Sequence, residues 1–162
     1  MLGSLLTLQR LFEKSKKGFL VFHGDLVLEN EDIERFTNLV KSDIRMSYLA
    51  CHSRTSQRAR SQVAVKDSMV TSFREGSLDS VTGEETVFVN SGIYFFSEDD
   101  LDLFFRCYTH FQAGSDITGH LLPFLARNKR LNFFNWSGQR ISIDSLSALD
   151  EAQKLVSILK SN

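Results

Sequence analysis

The sequence is poor in the residues that mark secreted, disulfide-bonded or membrane proteins. It has one proline and two cysteines among 162 residues. Cys51 and Cys107 are too far apart to suggest a metal motif or a disulfide framework, so we expect two buried thiols in a reducing cytosol. No apolar run approaches the ~20 residues of a membrane span, and no signal peptide is visible. The sequence predicts a soluble, cytoplasmic protein with no membrane partner.

Neither sign of charge dominates. The 19 Lys and Arg residues nearly balance the 20 Asp and Glu residues, for a net charge of −1. Proteins that bind double-stranded nucleic acid normally carry a strong excess of basic residues, so we do not expect nucleic acid as a partner. The composition is 42% hydrophobic and includes 14 Phe, which is enough to build a core in a chain of single-domain length. We therefore predict one domain over residues 1–162.

Helical and strand patterns alternate along the first half of the chain. Leu5, Leu8 and Phe12 recur at helical spacing, and residues 19–25 then form an apolar run typical of a strand buried on both faces. This alternation predicts an α/β fold with a mainly parallel, mixed sheet and helices on both faces. Further strands are predicted at 46–51, 63–65, 69–73, 87–96, 131–134 and 141–143, and further helices begin near Asn30, Ser97, Leu121 and Ser147.

The first candidate site lies where the strand at 19–25 ends. Ligands of open α/β sheets bind at the carboxyl ends of strands, and Gly24 and Asp25 occupy that position. A carboxylate there can hold Mg²⁺, which prefers oxygen ligands, and a glycine lets the backbone come close to a ligand. The alternative is that Asp25 only begins the next turn.

Two further segments carry polar groups suited to a sugar. Asn90, Ser91 and Gly92 interrupt an apolar strand; the amide offers both donor and acceptor, and the glycine makes room. Glu75 ends another strand, where its carboxylate can accept hydrogen bonds from sugar hydroxyls. The alternatives are a β-bulge at the first position and an exposed strand end at the second.

Five segments in order carry recognisable motifs. Residues 19–25 read FLVFHGD, 70–75 read VTSFRE, 90–95 read NSGIYF, 121–125 read LLPFL and 141–152 read ISIDSLSALDEA. They resemble, in the same order, the segments FLVLNGD, VxxFxEKP, NAGIYV, LLPxL and IDIGTPEDLxxA of the sugar-1-phosphate nucleotidyltransferases, which make nucleotide sugars such as GDP-mannose. Within that family the mannose- and heptose-1-phosphate guanylyltransferase branch is the most similar.

The resemblance implies a fold, a reaction and a set of site residues. The fold is the Rossmann-like nucleotidyltransferase type, and the reaction converts a sugar 1-phosphate and an NTP to an NDP-sugar and pyrophosphate, in nucleotide-sugar and polysaccharide biosynthesis. Catalysis in such phosphoryl chemistry is mostly positioning and charge stabilisation, here with Mg²⁺. By position, Asp25 would bind the metal, and Gly24, Glu75, Asn90 and Gly92 would contact the substrate.

The departures from the family pattern are equally specific. The glycine-rich nucleotide-binding segment has no counterpart, so the chain resembles an N-terminally truncated form. Gly76 stands where the family has the lysine of EKP, and Ser142 where it has a second metal-binding Asp. His23 replaces the Asn of NGD. Asp144 lies two residues beyond Ser142, on the same face if the strand continues, and is the candidate replacement ligand.

Three hypotheses remain open at this point. The chain is an impaired or inactive nucleotidyltransferase, because losing one preorganised charge contact costs roughly 10²–10³ in rate. Alternatively, it is an active enzyme completed by another polypeptide or rebuilt around Asp25, His23 and Asp144. The third hypothesis is a non-catalytic regulatory or scaffold subunit that binds a nucleotide sugar or an active homologue. A missing first strand would expose an apolar sheet edge, which favours homo- or hetero-oligomers.

Overall fold

The computed structural model describes residues 3–53, 61–75, 86–108, 111 and 115–159. The helices are α1 (Ser4–Ser15), α2 (Asn30–Ser42), α3 (Glu98–Cys107), α4 (Leu122–Arg127) and α5 (Leu146–Leu159), with a π-helical turn at Ile117–Leu121 directly before α4. The strands are β1 (Phe19–Phe22), β2 (Leu26–Leu28), β3 (Ser47–Ser53), β4 (Ser61–Lys66), β5 (Met69–Glu75), β6 (Thr86–Phe96), β7 (Leu131–Asn135) and β8 (Arg140–Ser142). Within these ranges no helix is long and apolar enough to cross a membrane.

The predicted mixed α/β sheet is confirmed, although its parallel part is smaller than the sequence suggested. The main sheet has the strand order β1-β6-β3-β7-β5-β4, and β2 and β8 form a separate two-stranded sheet. Strands β1, β3, β4 and β7 run in one direction, and β5 and β6 run against them. Because β6 lies between β1 and β3, the only parallel pairing among the described strands is β3 with β7.

Helices cover both faces of this sheet, as the continuous apolar strands predict. On β3, Leu49 and Cys51 face one cluster of buried side chains and Tyr48 and Ala50 face the other. Helices α1, α3 and α4 supply the first cluster, and α2 supplies the second. A strand sandwiched in this way has no polar face, which is why its sequence lacks the polar–apolar alternation of a half-exposed strand.

Several local predictions can be compared directly with the structure. The strands predicted at 63–65 and 69–73 form the hairpin of β4 and β5, with Asp67 and Ser68 at positive φ in its two-residue turn. The helix predicted near Leu121 has Pro123 in the first turn of α4. The helices predicted to begin near Asn30 and Ser147 begin at Asn30 and Leu146, and neither predicted residue caps its helix: α2 has no side-chain cap, and Ser145 caps α5. Cys51 is buried as expected, but Cys107 is exposed.

A buried carboxylate ties α3 to the sheet. Asp100 has no exposed surface. Its carboxylate accepts hydrogen bonds from the Ser47 backbone N–H at 3.1 Å, from Ser47 Oγ at 2.6 Å, and from the Arg130 guanidinium, with which it also forms an ion pair. Ser97 caps α3 by accepting from the Asp100 N–H at 3.2 Å. Asp100 is therefore the centre of a network that joins α3, β3 and the residue before β7.

Strand β1 forms one edge of the main sheet and carries two exposed apolar side chains. In the part of the chain that the structure describes, its only neighbour is β6. Leu20 is 39% exposed and Phe22 is 40% exposed. They project from the same face of the strand, two positions apart. An unpaired edge with apolar side chains is a surface that favours pairing with another strand.

Candidate functional site

A cavity of about 880 Å³ opens where β1 and β5 end beside the middle of β6. Its walls also include the π-helical turn and the segment from Arg140 to Asp144. The cavity brings together all six residues that the sequence predicted for the site, which come from four separate places in the chain: Gly24, Asp25, Glu75, Asn90, Gly92 and Asp144.

A β-bulge in β6 forms the floor of the cavity. The pairing with β3 shifts register, so that Ala50 faces Ile93 while Cys51 faces Asn90, and Ser91 and Gly92 are extra residues. Gly92 has φ of 76°, and a Cβ at this position would lie 2.9 Å from His23 Nδ1. Glycine is therefore required here for both backbone conformation and space.

The bulge uses the Asn90 amide internally. Asn90 Oδ1 accepts from the Gly92 N–H, and Asn90 Nδ2 donates to Tyr94 Oη, both at 2.8 Å. Tyr94 Oη also lies 3.0 Å from His23 Nε2, and burial raises the Tyr94 pKa, which keeps the phenol protonated at neutral pH. Asn90 thus lines the cavity while it orients Tyr94 and, through it, the His23 ring.

Gly24 differs from Gly92 in its surroundings. A Cβ at Gly24 would meet nothing within 4 Å, and its φ is not in the left-handed region. The protein itself does not require glycine at this position. The predicted reason for Gly24, a close approach of backbone and ligand, therefore stays a prediction that depends on the ligand.

Asp25 is joined by two hydrogen bonds to the end of β8 and the residue that follows it. Its carboxylate Oδ2 accepts from Ser142 Oγ at 3.0 Å, and its backbone carbonyl accepts from the Ile143 N–H at 2.8 Å. Ser142 is thus a hydrogen-bond donor to Asp25 at the position where the family pattern has a carboxylate. The argument that Asp144 continues the face of Ser142 is wrong, because β8 ends at Ser142 and Asp144 follows in a bend.

The donor set around Asp25 does not fit a cation held by the protein alone. Among the described residues there is no group of three or more His, Cys, Asp or Glu side chains placed to hold a metal ion. Asp25 has a serine partner instead of a second carboxylate. The Mg²⁺ expected from the resemblance therefore finds no preformed site here.

Sequence reasoning missed Arg140, the first residue of β8. Its Nε donates to the Ser91 carbonyl at 2.8 Å, so the guanidinium is fixed against the bulge. Burial lowers the Arg140 pKa, while the negative charge of Asp25 acts in the opposite direction. A guanidinium keeps its proton in proteins, so Arg140 is a positive charge in the cavity wall. A single arginine in a polar stretch gives no sequence signal of this role.

The position of Arg140 depends on a turn that α2 holds. Asp32, which is 2% exposed, accepts hydrogen bonds from the backbone N–H groups of Ser137, at 2.8 Å, and Gly138. Glu29 Oε2 accepts from the Gln139 N–H at 3.1 Å. Carboxylates at the start of α2 thus fix the turn that leads into β8.

His52 is a second residue that the sequence analysis left out of the site. Its Nδ1 lies 3.1 Å from Ser91 Oγ. Burial, and next the charge of Arg140, lower the His52 pKa to about 4. The imidazole is therefore neutral at pH 7, and Arg140 and His52 differ in charge although both contact Ser91.

Comparison with known proteins gives a match in structure only. No model of a protein family and no curated protein sequence matches the chain. A solved structure described as a glucose-1-phosphate thymidylyltransferase from Bacillus anthracis, in complex with sucrose, superimposes with a TM-score of 0.72 and 16% identity, over 95% of this chain and 61% of that one. The inositol-1-phosphate CTP transferase from T. maritima gives 0.68 and 15%, over 94% and 60%.

These matches define a class of fold. The chain has the α/β fold of nucleotidyltransferases that act on sugar phosphates, and it spans about three fifths of the length of the two solved structures. At this level of identity the likeness concerns the fold, and it supports the family resemblance of the sequence motifs at that level. Function has to be argued from the site.

Proposed function

We propose that this chain binds a nucleotide sugar or a sugar 1-phosphate in the cavity beside the end of β1. The observation that carries the proposal is the meeting, in one cavity, of residues drawn from separate sugar-nucleotidyltransferase-like motifs, among them Asp25, Glu75 and Asn90. The cavity volume of about 880 Å³ lies within the roughly 300–1,000 Å³ of small-molecule sites.

The polar groups of the cavity suit the hydroxyls of a sugar. Asp25 and Glu75 present carboxylate oxygens, which accept hydrogen bonds. Gly92 has no side chain and so leaves space in the cavity. Beside it, the His23 ring is held by Tyr94, which is itself held by Asn90. A pocket with fixed donors and acceptors selects a ligand by the arrangement of its hydroxyls.

We propose that the 162 residues by themselves have little transferase activity. Gly76 and Ser142 stand where the resembled enzymes carry a lysine and a metal-binding Asp. Because each lost charge contact costs on the order of 10²–10³ in rate, the two together leave a slow reaction. Release of pyrophosphate from an NTP that depends on added sugar 1-phosphate, at an enzyme-like rate, would overturn this part of the proposal.

Binding is tested by calorimetry of the chain against GDP-mannose and a panel of other nucleotide sugars and sugar 1-phosphates. Because the resemblance implies Mg²⁺ while the described residues form no preformed cluster, each titration is run with Mg²⁺ and with EDTA. We expect at least one ligand to bind and Asp25→Asn to weaken it about 10-fold or more, since a hydrogen bond to a charged group is lost.

A matched control separates this effect from general changes in charge. Asp102 lies on the exposed side of α3 and pairs with Arg106, so Asp102→Asn removes the same charge without touching the cavity. The affinity of Asp102→Asn for the ligand should equal that of the unmodified chain. Failure of every ligand in the panel to bind would refute the proposed function.

A second candidate function is supported by the edge of the sheet. The exposed Leu20 and Phe22 on β1 support pairing, through this edge, with a second copy of the chain or an active homologue. In this candidate function the chain is a non-catalytic subunit that binds nucleotide sugar. Sheets extended by strand addition gain main-chain hydrogen bonds across the new edge and burial of the side chains beside it.

The self-association part of this candidate is tested with a double substitution. Replacing Leu20 and Phe22 by threonine removes the apolar side chains and retains β propensity. We expect the molar mass measured by light scattering to rise with concentration for the unmodified chain and to stay monomeric for the variant. Ile44→Thr, at another exposed apolar position (63% exposed), is the control. A monomeric unmodified chain would exclude self-pairing.

A further inference from the structure

Arg140 is a cation whose hydrogen-bonding capacity the described residues use only in part. One of its nitrogens, Nε, donates to Ser91 O. Within the described ranges, Arg140 forms no ion pair, and no other hydrogen bond of its guanidinium is found. An arginine has five N–H donors in a planar fork, so both Nη groups lack a hydrogen-bond partner among the described residues, in a side chain that lines the cavity.

Arg140 differs in charge from the other ionised groups that line the cavity. The described lining residues include four carboxylates, from Asp25, Glu75, Asp116 and Asp144. Against them stands one permanently charged cation, Arg140, because the half-buried His52 has its pKa lowered to about 4 and is neutral. An anion that enters the cavity is repelled at most of the wall and attracted at Arg140.

The fixed geometry of Arg140 adds to this attraction. Its Nε bond to Ser91 holds one edge of the guanidinium against the bulge, and Asp32 and Glu29 hold the turn that precedes it. A guanidinium that is already oriented loses little conformational freedom on binding. Its remaining N–H groups match the paired oxygens of a phosphate, which arginine binds in a bidentate manner.

We propose that Arg140 is the phosphate-binding residue of this cavity, and that it supplies without a metal ion the positive charge that a phosphorylated sugar requires. The inference rests on the proposed function for the nature of the whole ligand. It extends that function by assigning the phosphate to Arg140 and the sugar hydroxyls to the carboxylates. It also accounts for the Asp25 environment, where Ser142 takes the place of a second carboxylate.

The test uses inorganic pyrophosphate, the smallest probe that carries the diphosphate of a nucleotide sugar. The chain, labelled with ¹⁵N, is titrated with pyrophosphate in EDTA while the arginine Nε–H signals are followed by NMR. The Arg140 signal is assigned by its loss in Arg140→Gln. We expect a saturable shift of that signal, and an affinity about 10- to 100-fold lower in Arg140→Gln, the range for a lost charged hydrogen bond.

Two further variants make the result specific. Arg140→Lys keeps the charge but loses the planar fork, and should give an intermediate affinity. Arg45→Gln removes a charge from a side chain that is 85% exposed and should leave the affinity unchanged. Arg140→Lys also lacks the Arg140 Nε–H signal, so it provides the assignment and the affinity comparison if Arg140→Gln does not fold.

The outcomes that overturn the inference are distinct from those that overturn the proposed function. Absence of saturable pyrophosphate binding in EDTA, binding that appears only with Mg²⁺, or equal affinity in Arg140→Gln would each refute a metal-free phosphate site at Arg140. Pyrophosphate binding at Arg140, together with no binding of any sugar phosphate or nucleotide sugar, would support the anion site and refute the sugar ligand.

Discussion

Replacing Asp100 with alanine is expected to lower the free energy of unfolding by about 3–5 kcal/mol, the range for breaking a buried ion pair from one side. Asp100 is fully buried and accepts from Ser47 and Arg130. Without the carboxylate, the Arg130 guanidinium, 32% exposed, loses its counter-charge, and the buried Ser47 groups lose their acceptor. Since a domain is stable by only ~5–15 kcal/mol, this loss is a large part of the total.

The measurement is urea-induced unfolding followed by circular dichroism. Asp102→Ala is the matched control, because Asp102 lies on the same helix in an exposed pair with Arg106. It should cost about 0.5 kcal/mol or less. Asp100→Asn keeps an acceptor for the Ser47 hydroxyl but not the charge. Its loss of unfolding free energy should therefore lie between those of Asp100→Ala and Asp102→Ala. Equal stability of Asp100→Ala and Asp102→Ala would contradict the role assigned to the network.

Replacing Gly92 with alanine is expected to damage both the site and the fold. Its φ of 76° is unfavourable for a residue with a side chain, and the new Cβ would lie 2.9 Å from His23 Nδ1. Backbone strain of this kind costs about 1–3 kcal/mol. The His23 ring must also move, which breaks its contact with Tyr94 Oη. Binding of any ligand that needs His23 in place should be lost.

Gly24→Ala provides the comparison for this prediction. Gly24 lines the same cavity, but its Cβ would have open space and its φ is not in the left-handed region. Thermal unfolding should therefore show a lower Tm for Gly92→Ala and a nearly unchanged Tm for Gly24→Ala. Loss of ligand binding in Gly24→Ala without loss of stability would support a close approach of ligand and backbone. An unchanged Tm in Gly92→Ala would contradict the strain argument.

The elements of the fold could be predicted from the sequence where their patterns are local. The hairpin at Asp67 and Ser68, the apolar strands, and the bulge at Asn90 to Gly92 each depend on residues close together in the chain. Strand directions could not be derived in this way. The placement of β6 between β1 and β3 depends on contacts between distant segments, and the pattern of a buried strand is the same for either direction.

The candidate site, like the fold, could be predicted from the sequence only in part. Asp25, Glu75, Asn90 and Gly92 were predicted because motifs place them at strand ends or bulges, and the structure brings them into one cavity. Arg140 and His52 were missed. Their place in the site follows from contacts with Ser91, a residue distant from both in the sequence. The hydrogen bonds of the Asn90 amide within the bulge could not be predicted either, because a sequence motif gives a residue's position but not its hydrogen-bond partners.

The parallel pairing of β3 with β7 has a consequence for how the chain reaches its native state. It joins Ser47 to Leu131, so the centre of the sheet cannot close until most of the chain is available. Local contacts form quickly, whereas pairings over long sequence separations are slow because the intervening chain must first be ordered. During synthesis on the ribosome, β3 therefore has no partner on this side until β7 has been made. Its apolar side chains are exposed in that interval, and such surfaces are the ones that chaperones bind.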